Sequence, residues 1–553
     1  ITEIKRQRIP IHSVGFGREK PERDIELLDI QMPARVLADS RIAAQVALRS
    51  YGHDGRKARL TLKDGGKVLA TREISLKPDG MVQSETVVFS AGSAGAKSIQ
   101  TVLEPISGEE NQANNAATRL LNVDGRKPRI LYIEGEPKWE YKFVRRAVDD
   151  DKGLELVSMI RTTPNKIYRQ GVSGPNELQD GFPATVDELF AYDGIVIGDV
   201  EVNYFTNTQQ ELLKQFVDRR GGGLLFLAGR AALSDGGWNK STLADLLPVT
   251  LPDRKGTFVR DPAKVELTPE GRDSLLCRIE ENPDKNVERW KNLPYLKNYQ
   301  DTGSAKPGAV VLASMSAANR RMPLLVTQNY GRGRTALFAT AGSWRWQMLQ
   351  PVEDMSHEMF WRQLLRWAVA GTMGPVISST SKSVYSDEIQ VSLKAEIRDR
   401  NYLPVTDAQV KARVLRPDGA ADEVDLRPDP VTAGVYSLDW GADKSGAYVA
   451  EVIARRGEQE LGRDVITFRR EDGVAENFRT HQNRELLEKL AEQTGGRYYR
   501  PADLTKLGSE IAFSEAGIST RETRDLWDMP IVFMVALILR SSEWLLRRKW
   551  GVV

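Results

Sequence analysis

Charged and aromatic side chains follow several short apolar runs in the middle of the chain. The candidates are Glu134, Glu136, Asp199, Arg230, Ser343, Trp344, Arg345 and Trp346. Acidic, cationic and aromatic groups gathered at one edge of a sheet could bind a small polar ligand or a loop of a partner protein. The alternative is that these groups satisfy one another as salt bridges and cover the sheet edge. The sequence leaves both interpretations open.

Few residues of the chain could act as a nucleophile or bind a metal. Cys277 is the single cysteine, so an internal disulfide and a CxxC metal site are excluded. The four histidines are far apart in sequence, at His12, His53, His357 and His481. No GxxxxGK[ST] phosphate loop, HExxH or GxSxG motif occurs. We therefore predict no metal site, no cofactor and no catalytic residue of these kinds.

The elements that position the polar candidates begin with the segment RILYIEGEPKWEYKFVRRAV, residues 129–148. Its apolar run at 130–133 is typical of a buried parallel strand. A turn with Gly135 and Pro137 follows, and then Trp139, Phe143 and Ala147 recur at helical spacing. Strand, turn and helix form the first half of a βαβ unit, whose ligand sites lie at the carboxyl ends of the strands.

Similar patterns continue to about residue 371. We predict strands at 194–197 and 224–228, helices at 209–219 and 359–370, and a hairpin across the GRGR turn. The three glycines at 221–223 precede a strand, so they are predicted to end a helix and not to cradle a phosphate. A stretch at about 234–307, rich in Pro, Asp and Lys, is predicted to be an insertion.

Both flanks of this α/β region change to short alternating runs separated by Gly, Asp and Pro, as in β-sandwiches. The fold class is therefore a multidomain α/β plus all-β protein. The predicted parts are 1–23, the end of an upstream domain or a linker; 24–124, a sandwich; 125–373, the α/β domain; 374–471, a second sandwich; 472–524, a small helical or α/β segment; and 525–553, a C-terminal helix with a basic tail.

Composition excludes one class of partner. The 553 residues carry a formal net charge of +2, so no overall basic field indicates nucleic acid. The chain begins with Ile1 and shows no signal peptide, so we expect it to be a piece of a longer protein.

A series of segments resembles a known family. YIEGEPKWEYKFVRRA, DGIVIGDV, VDRRGGGLLFLAGRAAL, YGRGRTALFATAGSWRW and FWRQLLRW are similar to the glutamine amidotransferase-like domain of bacterial membrane proteins. The resemblance implies a flavodoxin-like α/β domain flanked by immunoglobulin-like modules. Residues 9–17 resemble the last strand of a von Willebrand A domain, which often accompanies this family. A linked MoxR-type ATPase system is a further implied partner.

The resemblance implies the fold but not the activity. Class I amidotransferases place a cysteine on a sharp turn after a central strand and activate it with a histidine and a carboxylate. Here that turn reads Leu227-Ala228-Gly229-Arg230-Ala231, with no Cys, Ser or Thr. His357 is followed directly by Glu358, and adjacent helical residues do not face each other. We therefore predict that the catalytic triad is absent.

The C-terminus predicts a membrane helix at 526–546. An apolar run at 529–539 is flanked by tryptophans and followed by a basic cluster, Arg547, Arg548 and Lys549. Arg540 and Glu543 are expensive in hydrocarbon but can pair on one helical face. We expect a single-pass anchor with the domains on the periplasmic side; an amphipathic helix lying along the membrane surface is the alternative.

Two functions follow as hypotheses. The first is a non-catalytic, membrane-anchored scaffold or binding protein of the bacterial cell envelope, with other envelope proteins as partners. The second is an amidotransferase-like hydrolase with an unrecognised nucleophile. The absent nucleophile at the turn favours the first, whereas a serine or cysteine lying beside a histidine in space would favour the second.

Overall fold

The computed structural model describes residues 9–163, 166–473, 481–510 and 529–552. The chain divides into two compact units, one of which joins Ile1–Pro21 with His481–Val553, while the other is Glu22–Thr480. The predicted mixed α/β and β-rich architecture with several sheets is confirmed. The predicted domain boundaries stay predictions.

The first β-rich region of the larger unit has two sheets around a shared apolar core. Its alternating sequence explains this, since every second side chain of Arg41–Tyr51 is directed inward over most of the strand. The core contains Ile25, Val46, Leu60 and Leu121. The strands are Asp24–Gln31, Arg35–Leu37, Arg41–Tyr51, Lys57–Asp64, Lys67–Ser75, Val82–Ser90, Gly95–Leu103 and Ala116–Asp124, with a 3-10 turn at Ala113–Asn115.

A nine-stranded sheet forms the centre of the larger unit. In chain order its strands are β1 (Arg129–Glu134), β2 (Glu155–Thr163), β3 (Lys166–Gln170), β4 (Gly194–Ile197), β5 (Gly223–Leu227), β6 (Lys264–Leu267), β7 (Val310–Ala317), β8 (Arg320–Tyr330) and β9 (Gly333–Phe338). Across the sheet the order is β3-β2-β1-β4-β5-β9-β8-β7-β6.

Five of these strands, β2-β1-β4-β5-β9, are mutually parallel, and the outer strands are antiparallel. Counted along the chain, the parallel order is 2-1-3-4-5, which is a doubly wound order. The predicted GRGR hairpin is the β8–β9 turn. The predicted insertion at 234–307 does more than interrupt the domain, because it supplies β6 to the main sheet.

Helices cover the sheet and connect its strands. They are α1 (Trp139–Asp149), α2 (Val186–Leu189), α3 (Asn207–Asp218), α4 (Pro269–Asp273), α5 (Pro283–Lys291), α6 (Trp344–Met348) and α7 (Ser356–Val369). Thr206 caps α3 through a capping box with Gln209. The connections also contain short strand pairs and 3-10 turns: Val249–Thr250, Phe258–Val259, Tyr299–Gln300, Ser304–Ala305, Val202–Tyr204, Trp238–Lys240, Thr242–Leu246 and Leu275–Cys277.

The third region is all β, with eight strands hydrogen-bonded in one continuous order. Val391, Leu393, Ala395 and Ile397 alternate inward along one strand, as the sequence pattern predicts. The strands are Val376–Thr380, Val384–Ser386, Gln390–Ile397, Gln409–Leu415, Ala421–Pro428, Val435–Gly441, Gly446–Arg456 and Gln459–Glu471.

The smaller unit pairs the two ends of the chain. Ser13–Val14 lies parallel to Tyr498–Tyr499, next to helix α8 (Arg484–Thr494), which Asn483 caps. A 3-10 turn, Pro501–Asp503, precedes α9 (Leu504–Glu510).

Helix α10 (Pro530–Lys549) covers most of the predicted 526–546 segment, of which residues 526–528 lie outside the described residues. The predicted pair of Arg540 and Glu543 forms at 2.8 Å. The transmembrane prediction is not supported, because no helix in the described ranges is both long and apolar enough to cross a membrane. The apolar run of α10 is too short for a membrane span, and the Arg540–Glu543 pair falls within the helix.

Candidate functional site

The carboxyl ends of β1, β4 and β5 bring four of the predicted residues together. Glu134 is the last residue of β1, Glu136 lies in the turn after it, Asp199 follows β4 and Arg230 follows β5. The three strands are neighbours and parallel, so their exits lie along one edge. The polar candidates therefore form one cluster, as the sequence predicts for parallel strands.

Lys138, which the sequence analysis did not single out, lies at the centre of this cluster. Its Nζ is 2.5 Å from Asp199 Oδ2, 3.8 Å from Glu136 and 4.0 Å from Glu134. Nη2 of Arg230 donates to both carboxylate oxygens of Glu136, at 2.9 and 3.0 Å. The cluster thus satisfies itself with internal ion pairs, which is the second of the two interpretations that the sequence left open.

Glu134 is one of the buried carboxylates of the edge. It accepts hydrogen bonds from the Tyr132 hydroxyl at 3.0 Å and from the Asp199 backbone N–H at 2.7 Å. Burial raises the pKa of Glu134, and the nearby Lys138 ammonium opposes that rise. The crevice between β1 and β4 is where doubly wound folds usually hold a ligand, and here protein groups fill it.

The turn after β5 cannot hold a side-chain nucleophile without rearrangement. A Cβ at Gly229 would lie 2.2 Å from Asp199 Cγ, which no real contact allows. Asp199 itself is held there by Lys138 and by the Ala231 backbone N–H, which donates to Oδ1 at 2.5 Å. A side chain at position 229 would therefore require Asp199 to move.

Cys277 is not a substitute nucleophile. It lies in a 3-10 turn, fully buried, and its carbonyl accepts hydrogen bonds from Asn286 and Trp290. Burial raises the pKa of the thiol to about 12. Because the thiolate is the reactive form, this cysteine is inert at neutral pH.

A serine does lie beside a histidine. Ser343, after β9, has its Oγ 3.2 Å from Nε2 of His357 at the start of α7. Its hydroxyl also contacts Glu140 Oε1 closely, and Trp361 Nε1 donates to it at 2.9 Å. The sequence analysis missed Glu140. The signal for it was a carboxylate in the first turn of the helix that follows β1.

The order of this Glu140–Ser343–His357 group differs from that of a catalytic triad, in which the histidine lies between serine and carboxylate. Among the residues that the structure describes, His357 Nδ1 has no hydrogen-bond partner, so no carboxylate of these residues orients the ring. Burial lowers the pKa of His357 to about 3, and burial raises the pKa of Glu140 to about 7. Since all three side chains are buried, the group serves as a packed polar core.

Trp344 and Arg345 lie apart from the carboxylate cluster, on α6. The Trp344 ring is 6.2 Å from the ring of Trp139, and the Arg345 guanidinium lies 4.2 Å above the Trp344 ring. The Trp344 backbone N–H donates to Glu140 at 3.2 Å. The predicted edge therefore divides into an ion-paired cluster and an aromatic part. Trp346 lies in the core and donates to the Pro294 carbonyl.

Metal ligands do not gather in the parts of the chain that the structure describes. There, no group of three or more His, Cys, Asp or Glu side chains is arranged to hold a metal ion.

Residues 168–370 match the family model GATase1-like, described as "Putative glutamine amidotransferase". The chain therefore carries a glutamine amidotransferase-like domain. No curated protein matches the chain.

Several solved structures are similar over short stretches. The CARDB domain of a Pyrococcus furiosus protein is 18% identical, with a TM-score of 0.18, covering 20% of this chain and 95% of that one. The Lin-41 filamin domain is 19% identical, with a TM-score of 0.15, covering 18% and 93%. The PmoD soluble domain from a Methylocystis species is 13% identical, with a TM-score of 0.14, covering 17% and 90%.

Proposed function

We propose that this chain is a non-catalytic binding or scaffold protein of the bacterial cell envelope, built around a degenerate amidotransferase-like domain. The observation that carries the proposal is the turn after β5, Ala228-Gly229-Arg230-Ala231, which has no nucleophilic side chain and in which a Cβ at position 229 would collide with Asp199. The pair of Lys138 with the buried Asp199 supports it further, since it lies at the strand exits where a substrate would bind.

The proposal is tested by glutamine hydrolysis. Purified chain incubated with glutamine should release no ammonia above the level of a heat-denatured sample, measured by a coupled glutamate dehydrogenase assay. Ammonia release that disappears in Cys277→Ala would show that the buried thiol is the nucleophile and that the proposal is wrong.

A hydrolase with an unrecognised nucleophile is the second candidate, and the short distance from Ser343 to His357 favours it. The burial of both side chains and the interposed Glu140 bond weigh against it. Ester or amide turnover that is lost in Ser343→Ala, while Ser356→Ala keeps it, would establish this candidate. Ser356 is the matched control because it is a buried serine next to the same histidine.

We further propose that α10 associates with a membrane by lying along its surface. Large apolar side chains are exposed throughout the helix, including Phe533, Leu537 and Trp544, and the helix ends in Arg547, Arg548 and Lys549. Apolar surface next to a basic end suits the interface of an anionic bilayer. Release from membranes by alkaline carbonate is expected, whereas resistance to carbonate would contradict a surface location.

The remaining expectations concern the protein's surroundings. The periplasmic position of the folded domains, the envelope partners, a linked MoxR-type ATPase and an upstream von Willebrand A domain stay part of the proposal. Protease added to intact spheroplasts should degrade the domains if they lie outside the inner membrane. Protection from protease would refute that orientation.

A further inference from the structure

Four side chains outside the ion-paired cluster form a second surface, which we name the cation–aromatic row: Lys142, Trp139, Trp344 and Arg345. Lys142 Nζ lies 5.0 Å from the centre of the Trp139 ring. The ring centres of Trp139 and Trp344 are 6.2 Å apart, and the Arg345 guanidinium lies 4.2 Å from the centre of the Trp344 ring. The row therefore runs Lys142, Trp139, Trp344, Arg345, with a cation at each end and two indoles between them.

Neither cation of the row makes a direct ion pair in the described parts of the chain, although the Glu140 carboxylate acts on Arg345 electrostatically. Lys138 and Arg230, in the neighbouring cluster, each contact carboxylates at 2.9 Å or less. Lys142 and Arg345 make no such ion pair within the described residues, and Arg345 Nη1 is buried without a hydrogen-bond acceptor. Burial lowers the pKa of Arg345 and the nearby Glu140 carboxylate offsets this only in part, so the charge of Arg345 is held in an unfavourable environment. A carboxylate supplied from outside would relieve that cost.

Exposed apolar side chains extend the row on one side. Trp139 is 56% exposed, Met348 58% and Leu349 66%. Met348 lies four residues after Trp344, so these two share a face of α6, and Leu349 directly follows the helix. Tryptophan, arginine and methionine are enriched where proteins bind one another, and buried tryptophans contribute most of the binding energy there.

We propose that the cation–aromatic row, together with Met348 and Leu349, is a docking surface for an acidic, apolar-sided segment of a partner protein. This inference rests on the proposed binding function and names the partner's chemistry. Carboxylates of the partner pair with Lys142 and Arg345, and its leucine or aromatic side chains cover the two indoles and Met348. Two cations are too few to hold a nucleic acid by its phosphates. The exposed side chains of Met348 and Leu349 would pack against aliphatic or aromatic side chains of the partner.

The test uses a fluorescein-labelled synthetic peptide that alternates glutamate with leucine and phenylalanine. Its binding to the full chain is followed by fluorescence anisotropy at low salt. The same peptide with lysine at every glutamate is the probe control. The acidic peptide should bind, and its affinity should fall as the salt concentration rises. The lysine peptide should not bind. Equal binding of both peptides, or no binding of the acidic one, overturns the proposal.

Variants locate the binding surface. We expect the affinity for the acidic peptide to fall by about tenfold or more in each of three variants: Trp139→Ala and the charge reversals Lys142→Glu and Arg345→Glu. Trp139→Phe should recover part of the loss, because it keeps an aromatic ring. Val431→Ala and Lys67→Glu, exposed residues of the two flanking β-rich regions, are the controls and should change nothing.

Two outcomes place the peptide elsewhere and overturn the inference. One is equal binding by the row variants and by the controls. The other is complete displacement of the peptide by phosphatidylglycerol vesicles in wild type and in the Lys142→Glu variant alike, which would identify a lipid surface. Neither outcome bears on ammonia release, so a failed docking surface and a failed non-catalytic assignment are distinguishable.

Discussion

Replacing Lys138 with methionine removes the cation around which the carboxylates of the strand edge are arranged. The lysine side chain is 16% exposed, whereas those of Asp199 and Glu134 are each 2% exposed. Breaking a buried ion pair by removing one partner typically costs about 3–5 kcal/mol, because the other charge is left uncompensated. Asp199 keeps the Ala231 N–H and Glu134 keeps two donors, so we expect the lower end, about 3 kcal/mol.

The loss of stability in Lys138→Met should depend on pH in a defined direction. Burial raises the pKa of Glu134 in the folded protein, so its ionised form costs stability at neutral pH. Losing Lys138 removes the group that opposes this rise. The cost is fully present above the raised pKa and disappears as the pH falls below the unfolded value of 4.5. Lys138→Met should therefore be most destabilising at neutral and alkaline pH and less so in mild acid.

Hydrogen exchange measured by mass spectrometry suits this protein because several domains need not unfold together. Peptides from β1 and β4 should exchange roughly 100-fold faster in Lys138→Met, as a loss of about 3 kcal/mol implies. Lys240→Met is the matched control, since Lys240 makes a 2.9 Å pair with Asp253 in which both side chains are exposed. Equal exchange in Lys138→Met and wild type at neutral pH would refute the reasoning.

Three further predictions test the neighbouring groups. Gly229→Ser should destabilise the domain by about 1–3 kcal/mol and confer no glutaminase activity, because its Cβ collides with Asp199; a stable, active variant measured by urea unfolding and ammonia release would contradict this. In wild type, the Glu140 carboxyl should cost about 3 kcal/mol of stability as the pH rises from 4.5 to above about 7, and Glu140→Gln should lack this pH dependence in the exchange of α1 peptides. The His357 imidazole, with a pKa lowered to about 3, should cost stability as the pH falls below 6.5, so His357→Gln should be less acid-sensitive than wild type, and equal acid sensitivity would count against a neutral buried ring.

Local patterns sufficed for strands β1, β4 and β5 and for the β8–β9 hairpin of the central sheet, whereas β2 and β3 were not predicted. The apolar runs of β1, β4 and β5 have few alternatives to burial in a parallel sheet, and their exits had to share an edge. The clustering of Glu134, Glu136, Asp199 and Arg230 followed from that rule. Strand β6 was hidden in the insertion because its four residues pair only with a strand that is distant in sequence.

The parts that sequence could not provide depend on side-chain packing. Lys138 follows the turn after β1, and nothing in the local sequence shows that its ammonium pairs with Asp199, which follows a different strand. Glu140, Ser343 and His357 are brought together from helix α1 and the loop and helix after β9, so their contact is visible only in three dimensions. The membrane prediction relied on the apolar run at 529–539 and undervalued the cost of placing the charged Arg540 and Glu543 in hydrocarbon.

A covalent trap for nucleophiles tests the central claim most directly. A diazo-ketone analogue of glutamine alkylates the nucleophile of active glutaminases, and intact-protein mass spectrometry detects a single adduct. The absence of a nucleophile at Gly229 and the burial of Cys277 and Ser343 predict an unchanged mass after prolonged incubation. An adduct that maps to Ser343 or Cys277 and is prevented by excess glutamine would contradict the account and identify the protein as an enzyme.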